Sequence, residues 1–553
     1  MEATIEKKET KKVVLPARRV HNTPRLLKGD AYTIGSNKFE SPEAKEKSVY
    51  YITFRKRLHT INPTIYSKDD NRIVLTGLQR ILDRLFYEPI THAEIDETKR
   101  FLAHAKVTMQ GFKEYEFPEE IWRRVVDEFN GRPPIIIEAL PEGSVLYPNE
   151  PAIIVTAPVE GMGVLGAWFE SKLLQTWGTT ERVTQDEHVL NKLKEKIRIV
   201  DPEMSEEMQN FFASILITDF GDRAGLTDQE SEDLGMVHLY TFGGTDTFSG
   251  AYQAWKNAGE AIGIFSSVNA LAHRNVQSYE KENDCYEAIY NSCKDHEIVS
   301  MVDDCYDAKF SVRNYLLPLA LKSAKEQNGK VIVARPDSSK EGYTTKDQVI
   351  EICDISVENG LFEEKETKSG KWKFGTLFHF LDGDGKTFEE IFDIIDALIE
   401  KRYAFYSWGL FGVGGNLRNG LKRDNLSAKY ALASVGKQNR PVVKFSETLG
   451  KGTLPGPFKV LRSPEALASK KTIVFDTEDG ENATVQFFNG LNIYKPFGVG
   501  QDDDFLTIKN RIKEQMKTMP LSLETEDNNN YPSSDNINKV RKELLAKYAP
   551  SKK

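Results

Sequence analysis

The chain has 553 residues, 39% hydrophobic and 28% charged, with a formal net charge of −9 and a pI near 5.7. This length allows two or three domains, the composition excludes a disordered chain, and the acidic balance argues against nucleic acid as a partner. Four cysteines without a CxxC pair make no disulfide framework or zinc site. No apolar run reaches the roughly 18 residues of a membrane span, and the polar stretch Met1–Lys12 is no signal peptide, so a cytoplasmic protein with no membrane partner is expected.

Residues 1–24 read as a flexible tail rich in Lys and Glu. Residues 25–180 read as an α+β domain. Within it Ser48–Arg57 alternates as a strand, Ile73–Tyr87 has helical apolar spacing, and Val164–Trp177 reads as an apolar helix. Pro133–Val155 holds two strand-like segments around the turn Pro141-Glu142-Gly143.

From about residue 211 a strand followed by a polar cluster recurs. Ser214–Phe220 leads to Gly221-Asp222-Arg223, Val237–Phe242 to Gly243-Gly244-Thr245-Asp246, and Ala261–Val268 to Asn269 and His273. Glu297–Val302 leads to Asp303-Asp304, and Val331–Ala334 to Arg335-Pro336-Asp337-Ser338. Gly375–Leu381 leads to Asp382-Gly383-Asp384-Gly385, and Tyr403–Trp408 to Gly412-Val413-Gly414-Gly415. Helical patterns separate most of them, such as Thr387–Glu400 with its Thr-x-x-Glu capping box. Polar groups after seven strands point to an α/β barrel with its site on the carboxyl face, covering residues 181–425. A doubly wound open sheet has the same periodicity and stays open at this point. Glu358–Lys373 is a charged insertion, and residues 524–553 form a polar loop and a terminal helix at Ile537–Lys547.

Each cluster has a functional and a bland reading. Asp246 after two glycines is a helix cap or a site carboxylate. Arg335 with Asp337 pairs a phosphate-reading fork with a ribose-holding carboxylate, or is a surface ion pair. Gly414 and Gly415 let backbone amides approach a phosphate, and Arg423 closes on it or simply pairs with Asp424. His273 after one strand and Asp304 after the next would form an oriented imidazole suited to nucleophilic or acid–base work. Phe220 is core or a stacking platform for a flat ring.

The strings ITDFGDR, GGTDTFSGA, LAHRN, VDDCYD, ARPDS, DGDG and FGVGGNLRNGLKRD follow one another in an order and spacing that resembles the nicotinate/nicotinamide phosphoribosyltransferase family. The likeness spans about residues 24–460 and leans to the nicotinamide branch. It implies the type II phosphoribosyltransferase fold, an α/β-barrel domain plus an α+β domain formed by the N- and C-terminal parts, with residues 426–523 packing on the N-terminal domain. It also implies a homodimer with shared active sites. The implied reaction is transfer from phosphoribosyl pyrophosphate to nicotinamide with Mg²⁺, giving nicotinamide mononucleotide and pyrophosphate, with ATP stimulating through a phosphohistidine.

By that resemblance Phe220 and the partner's Tyr32 sandwich the pyridine ring, and Asp246 accepts its amide. Arg223 and Arg335 hold phosphate or pyrophosphate. Asp337, Gly383 and Asp384 hold ribose, and Gly414, Gly415 and Arg423 hold the 5′-phosphate. His273 is the phosphorylated histidine, oriented by Asp304; no metal ligands are assigned. Departures lean to the nicotinate branch: Ala272 before the histidine where the nicotinamide enzymes have Glu, Phe54-Arg55-Lys56, Asn416, and the segments Lys444–Glu447 and Thr453–Gly456. Ser339 stands where a glycine is usual. Nicotinate transfer is therefore the alternative reading. A catalytically silent nucleotide-binding barrel would have no use for Asp337, Asp384 and His273 together. A sugar-hydrolysing barrel built on Asp337 and Asp384 would leave the phosphate-holding set unexplained.

Overall fold

The computed structural model describes residues 22–104, 106–107, 113–114, 116–267, 269–445, 452–524 and 531–548. The tail expected at 1–24 lies almost wholly outside the described residues, as do 525–530 of the polar loop.

Two large sheets organise the chain. The first is antiparallel, in the order Arg440–Pro441, Lys429–Val435, Ser48–Thr53, Pro151–Ala157, Ile136–Ala139, Val485–Asn489. Both ends of the chain thus contribute strands to one sheet. Its central strand, Ser48–Thr53, is buried throughout, and the alternation of side chains explains how. Tyr50 and Ile52 enter the main core, while Val49 and Tyr51 point to a second core with Leu454, Phe458 and Ile537. Ile537 belongs to the terminal helix Asp535–Tyr548, which covers that second face.

The second sheet is parallel, with seven strands in chain order: Ile217–Asp219, Gly244–Thr245, Asn269–Leu271, Ile298–Val302, Val331–Arg335, Phe378–Asp382 and Gly409–Val413. The seventh pairs with the first and the first with the second, so neighbours in space are neighbours in sequence. Among the described residues only the second and third lack a ladder, and a parallel bridge joins Gly244 to Ser266, just ahead of the third strand. A doubly wound sheet reverses strand order at a switch point; this purely cyclic order is that of a barrel. Helices such as Phe388–Glu400 cover it, burying Phe388, Ile391, Ile395 and Leu398 at helical spacing behind the Thr387 capping box.

Several expected elements are corrected. Val237–Phe242 is not a strand; Asp228–Thr241 is a helix capped by Thr227. Every residue from Leu234 to Thr241 is buried, so this half of the helix is covered all round and shows no polar face to reveal its period. Tyr403–Trp408 is a turn, and the strand begins at Gly409. The strand expected at Ala261–Val268 lies at Asn269–Leu271, and that at Ser214–Phe220 is shortened to Ile217–Asp219 because Ser214 and Ile215 close a helix. Ile73–Tyr87 splits at Gly77, whose φ of 93° ends the strand Ile73–Val74 before the helix Leu78–Phe86. Val164–Trp177 breaks at Phe169 into two short helices, and a 25-residue helix then starts at Thr176. The insertion is a hairpin, Phe362–Thr367 with Gly370–Gly375.

The helix Thr176–Val200 links the small ladder of Ile73–Val74 with Val145–Leu146 to the barrel. Its Thr180 and Thr184 hydroxyls accept the Thr76 and Val74 N–H groups, while Arg182 and Asp186 face His238 beside the barrel. Among the described residues no helix is long and apolar enough to cross a membrane.

Candidate active site

The acidic side of the site comes from four consecutive strand ends. His273 opens a short helix right after the third strand, and Asp303 and Asp304 follow the fourth. His273 Nε2 lies 2.9 Å from Asp304 Oδ1 and 3.7 Å from Asp337 Oδ2. Ser338 donates to the other Asp304 oxygen at 2.5 Å. The imidazole is 40% exposed and Asp304 only 10%, so the carboxylate backs the ring while the ring meets solvent.

Arg335 ends the fifth strand and reaches over the fourth to donate to the Leu271 carbonyl at 2.6 Å. Its charge opposes the effect of burial, which raises the Asp337 carboxyl above its ordinary value. Asp384 accepts from Ser339 and from the Lys386 ammonium, each at 3.0 Å. Gly383 lies against Asp337 so closely that a Cβ would stand 2.7 Å from Oδ1, and its N–H donates to Pro336 at 2.7 Å. Beneath these, burial pushes Asp382 up to about 6, and burial followed by the Asp304 charge drives Asp303 well above the carboxylate range.

The second strand builds a different corner. Gly244-Thr245 pairs with the first strand, and the Asp246 N–H donates to the Asp219 carbonyl at 2.8 Å. The Asp246 carboxylate accepts from the Ser267 hydroxyl. Burial raises its pKa, with Ser267 and then Arg335 pulling it back. Asp246, Phe248, Ser267, Asn269, Ala270 and Ile298 line an open cavity of about 610 Å³.

Phe220 continues the first strand, its N–H donating to the Val413 carbonyl at 2.7 Å. Its ring packs on Gly412, where a Cβ would lie 2.9 Å from Cδ2, and its carbonyl stands over Gly414. Only glycine lets the seventh strand pass so near. Gly414 and Gly415 then lead into the helix Gly415–Gly420, and the Asn416 amide donates to Gly385, tying this loop to the Asp382–Gly385 turn. The acidic ends and the glycine loop are therefore one surface.

Three expected residues stand outside this set of contacts. Arg223 is exposed in the turn Asp222–Ala224, Tyr32 is 65% exposed on the helix Ala31–Gly35, and Arg423 pairs with Asp424 at 2.8 Å on the surface. Conversely, Ser267, Ser338, Lys386, Asp219 and Arg418 belong to the site or its support and were not singled out from sequence. Ser338 ends the string ARPDS and Lys386 directly follows DGDG, so both were legible there. Asp219 and Arg418 lie within ITDFGDR and FGVGGNLRNGLKRD, but their pairing carries no local signal, because only folding brings residue 418 to residue 219.

Comparison with known proteins agrees with this architecture. Residues 25–137 match the model for the nicotinamide phosphoribosyltransferase N-terminal domain, and 215–489 that for the nicotinate phosphoribosyltransferase (NAPRTase) family. The nicotinamide phosphoribosyltransferase of Xanthomonas campestris pv. campestris is 26% identical over 412 residues, 74% of this chain and 80% of that protein. Its namesake from Mycoplasma genitalium is 22% identical over 439 residues, 75% of this chain and 90% of that protein. The fold is shared with nicotinate-nucleotide pyrophosphorylase from Pyrococcus furiosus, at TM-score 0.52 and 14% identity over 91% of this chain and 98% of that one. It is shared too with human nicotinic acid phosphoribosyltransferase, at TM-score 0.51 and 12% identity over 93% and 98%. With both family models matched in order, the barrel and the two-ended sheet in place, the chain belongs to the nicotinate/nicotinamide phosphoribosyltransferase family.

Proposed function

We propose that this protein transfers a phosphoribosyl group from phosphoribosyl pyrophosphate to nicotinamide, giving nicotinamide mononucleotide and pyrophosphate for NAD salvage. The observation that carries the reading is the joining of the Asp382–Gly385 turn, which lies against Asp337, to the Gly412–Gly415 loop through Asn416 and Gly385. One end of this surface suits ribose hydroxyls and the other a phosphate, with the Phe220 ring beside them.

The chemistry follows from charge. A pyridine nitrogen is a weak nucleophile, so the bond from C1′ to pyrophosphate must loosen before the new C1′–N bond forms. Positive charge then grows on the sugar, and the carboxylates of Asp337 and Asp384 stabilise it while holding the hydroxyls. Arg335 and the exposed Arg223 receive the negative leaving group. Asp304 and Asp337 offer the oxygen donors that Mg²⁺ favours, within 4.8 Å of His273, and the ion would supply neutralising charge to the pyrophosphate. Gly414 and Gly415, with Arg423, hold the 5′-phosphate.

Asp246 sets the choice of ring. It accepts the amide of nicotinamide, whereas a carboxylate ring about 4 Å away would cost on the order of 4 kcal/mol at an effective dielectric near 20. His273 takes a phosphoryl group from ATP, its nitrogen attacking the γ-phosphorus as ADP departs and Asp304 steadying the ring. Two copies of the chain complete the sites, Tyr32 of one covering the ring bound in the other.

Incubation with phosphoribosyl pyrophosphate, Mg²⁺ and either nicotinamide or nicotinate, with and without ATP, tests all of this by product mass. Nicotinate mononucleotide as the main product would overturn the choice of ring, and no product in any tube would overturn the activity.

A further inference from the structure

Behind the proposed ring platform lies a buried ion pair that none of the substrate-holding groups includes. Arg418 Nη2 meets Asp219 Oδ2 at 3.2 Å, and each side chain is 3% exposed. Asp219 ends the first strand, two residues before Gly221, whose N–H donates to Asp219 Oδ1 at 3.1 Å. The same residue's carbonyl receives the Asp246 N–H. Arg418 lies on the helix that follows Gly414, and its guanidinium covers Gly221 so tightly that a Cβ there would stand 2.1 Å from Nε. Its Nη1 reaches the Glu230 carbonyl at 3.5 Å, on the helix that precedes the Asp246 corner.

One pair thus touches the Phe220-Gly221 turn, the Asp246 backbone and the glycine-loop helix. Burial alone would raise the Asp219 carboxyl, but Arg418, then His238 and Arg182, hold it below its ordinary value. A charge kept ionised in a dry interior keeps a strong, directional acceptor for the Gly221 N–H.

We propose that Asp219 and Arg418 are positioning residues for the ring substrate: the pair locks the Phe220 platform through the Gly221 N–H and anchors it to the helix of the glycine loop. This rests on the reading that Phe220 stacks the ring. Neither side chain reaches the substrate, so their loss acts on ring binding and not on the bond-making step. The distinction is measurable as a split between KM for the ring and kcat.

In Arg418→Met the packing volume remains but Asp219 is left unpaired; ring KM rises about tenfold while kcat and the phosphoribosyl pyrophosphate KM stay within about threefold. Two charge-free double variants separate positioning from mere stability. Asp219→Asn with Arg418→Met keeps an acceptor for Gly221 and brings ring KM back to within about threefold of the parent, whereas Asp219→Ala with Arg418→Met leaves it about tenfold high. Hydrogen exchange at the Gly221 amide follows the same order without any need for turnover. Equal ring KM and equal Gly221 exchange in the two folded double variants would overturn the proposal, and so would an unaltered ring KM in folded Arg418→Met. If the parent itself makes no nucleotide, the activity reading fails, and Gly221 exchange still decides the strut.

Discussion

His273 Nε2 faces Asp304 Oδ1 across 2.9 Å, so the Nε2–H donates to the carboxylate and Nδ1 is left as the nitrogen with the free lone pair. The ring's second carboxylate neighbour, Asp337 Oδ2, is also on the Nε2 side at 3.7 Å.

The phosphoryl group from ATP is therefore expected on Nδ1. Labelled ATP with phosphorus NMR of the denatured protein distinguishes the two phosphohistidine isomers, and phosphate on Nε2 would count against the arrangement. His273→Ala loses ATP stimulation and keeps some ATP-independent turnover. Asp304→Asn, which keeps an acceptor but removes the carboxylate charge that backs the imidazole, lowers phosphate incorporation by about 10–100-fold.

Asp246→Asn relaxes the discrimination against nicotinate by up to about a thousandfold in kcat/KM, the equivalent of the 4 kcal/mol repulsion. The parent carries the same effect in its pH dependence. Burial raises the Asp246 pKa, so acidification protonates it earlier than an ordinary aspartate and removes the charge that repels a carboxylate ring. The nicotinamide-to-nicotinate ratio of kcat/KM falls as pH is lowered from 8 in the parent and stays flat in Asp246→Asn. A parallel fall in both proteins would show that the charge lies elsewhere.

Gly383→Ala tests the ribose end. The new methyl would stand 2.7 Å from Asp337 Oδ1, so the carboxylate must turn away. The KM for phosphoribosyl pyrophosphate should rise at least about tenfold, with a 1 Å misplacement costing as much as a hundredfold in rate. An unaltered donor KM would mean that Asp337 does not hold the sugar.

Asp382 makes a prediction about stability. It is fully buried, and its pKa moves from 3.8 to about 6, chiefly through burial. The native state then binds more protons than the unfolded chain between these values. Unfolding free energy consequently falls as pH rises from 3.8 to about 6 and levels off above. The cost at pH 8 is about 3 kcal/mol and vanishes at low pH. Asp382→Asn keeps an acceptor for the Asp384 N–H, which now donates to Asp382 Oδ1 at 3.2 Å. Urea denaturation should show the variant more stable than the parent at pH 8 and equal to it at pH 4; a gain independent of pH would rule out the charge as its cause.

Local sequence by itself determined the strand-end clusters and their order. Asp304, Arg335, Asp337 and Asp384 each sit beside a strongly apolar run, and order along the chain becomes order around a barrel because each parallel strand is laid beside the one before. Where the apolar run was buried on every side, period could not be read, and His238–Thr241 proved to be helix instead of strand. Only tertiary structure decided which groups meet. Residue 219 finds 418, and residue 385 finds 416, because the seventh strand closes on the first and the sixth lies beside the seventh. The Gly243–Asp246 corner draws its shape from both levels. Its glycines are visible in the sequence, but Asp246 is aimed by a backbone carbonyl of Asp219 and a hydroxyl of Ser267, and hydrogen bonds between distant segments leave no trace in local spacing.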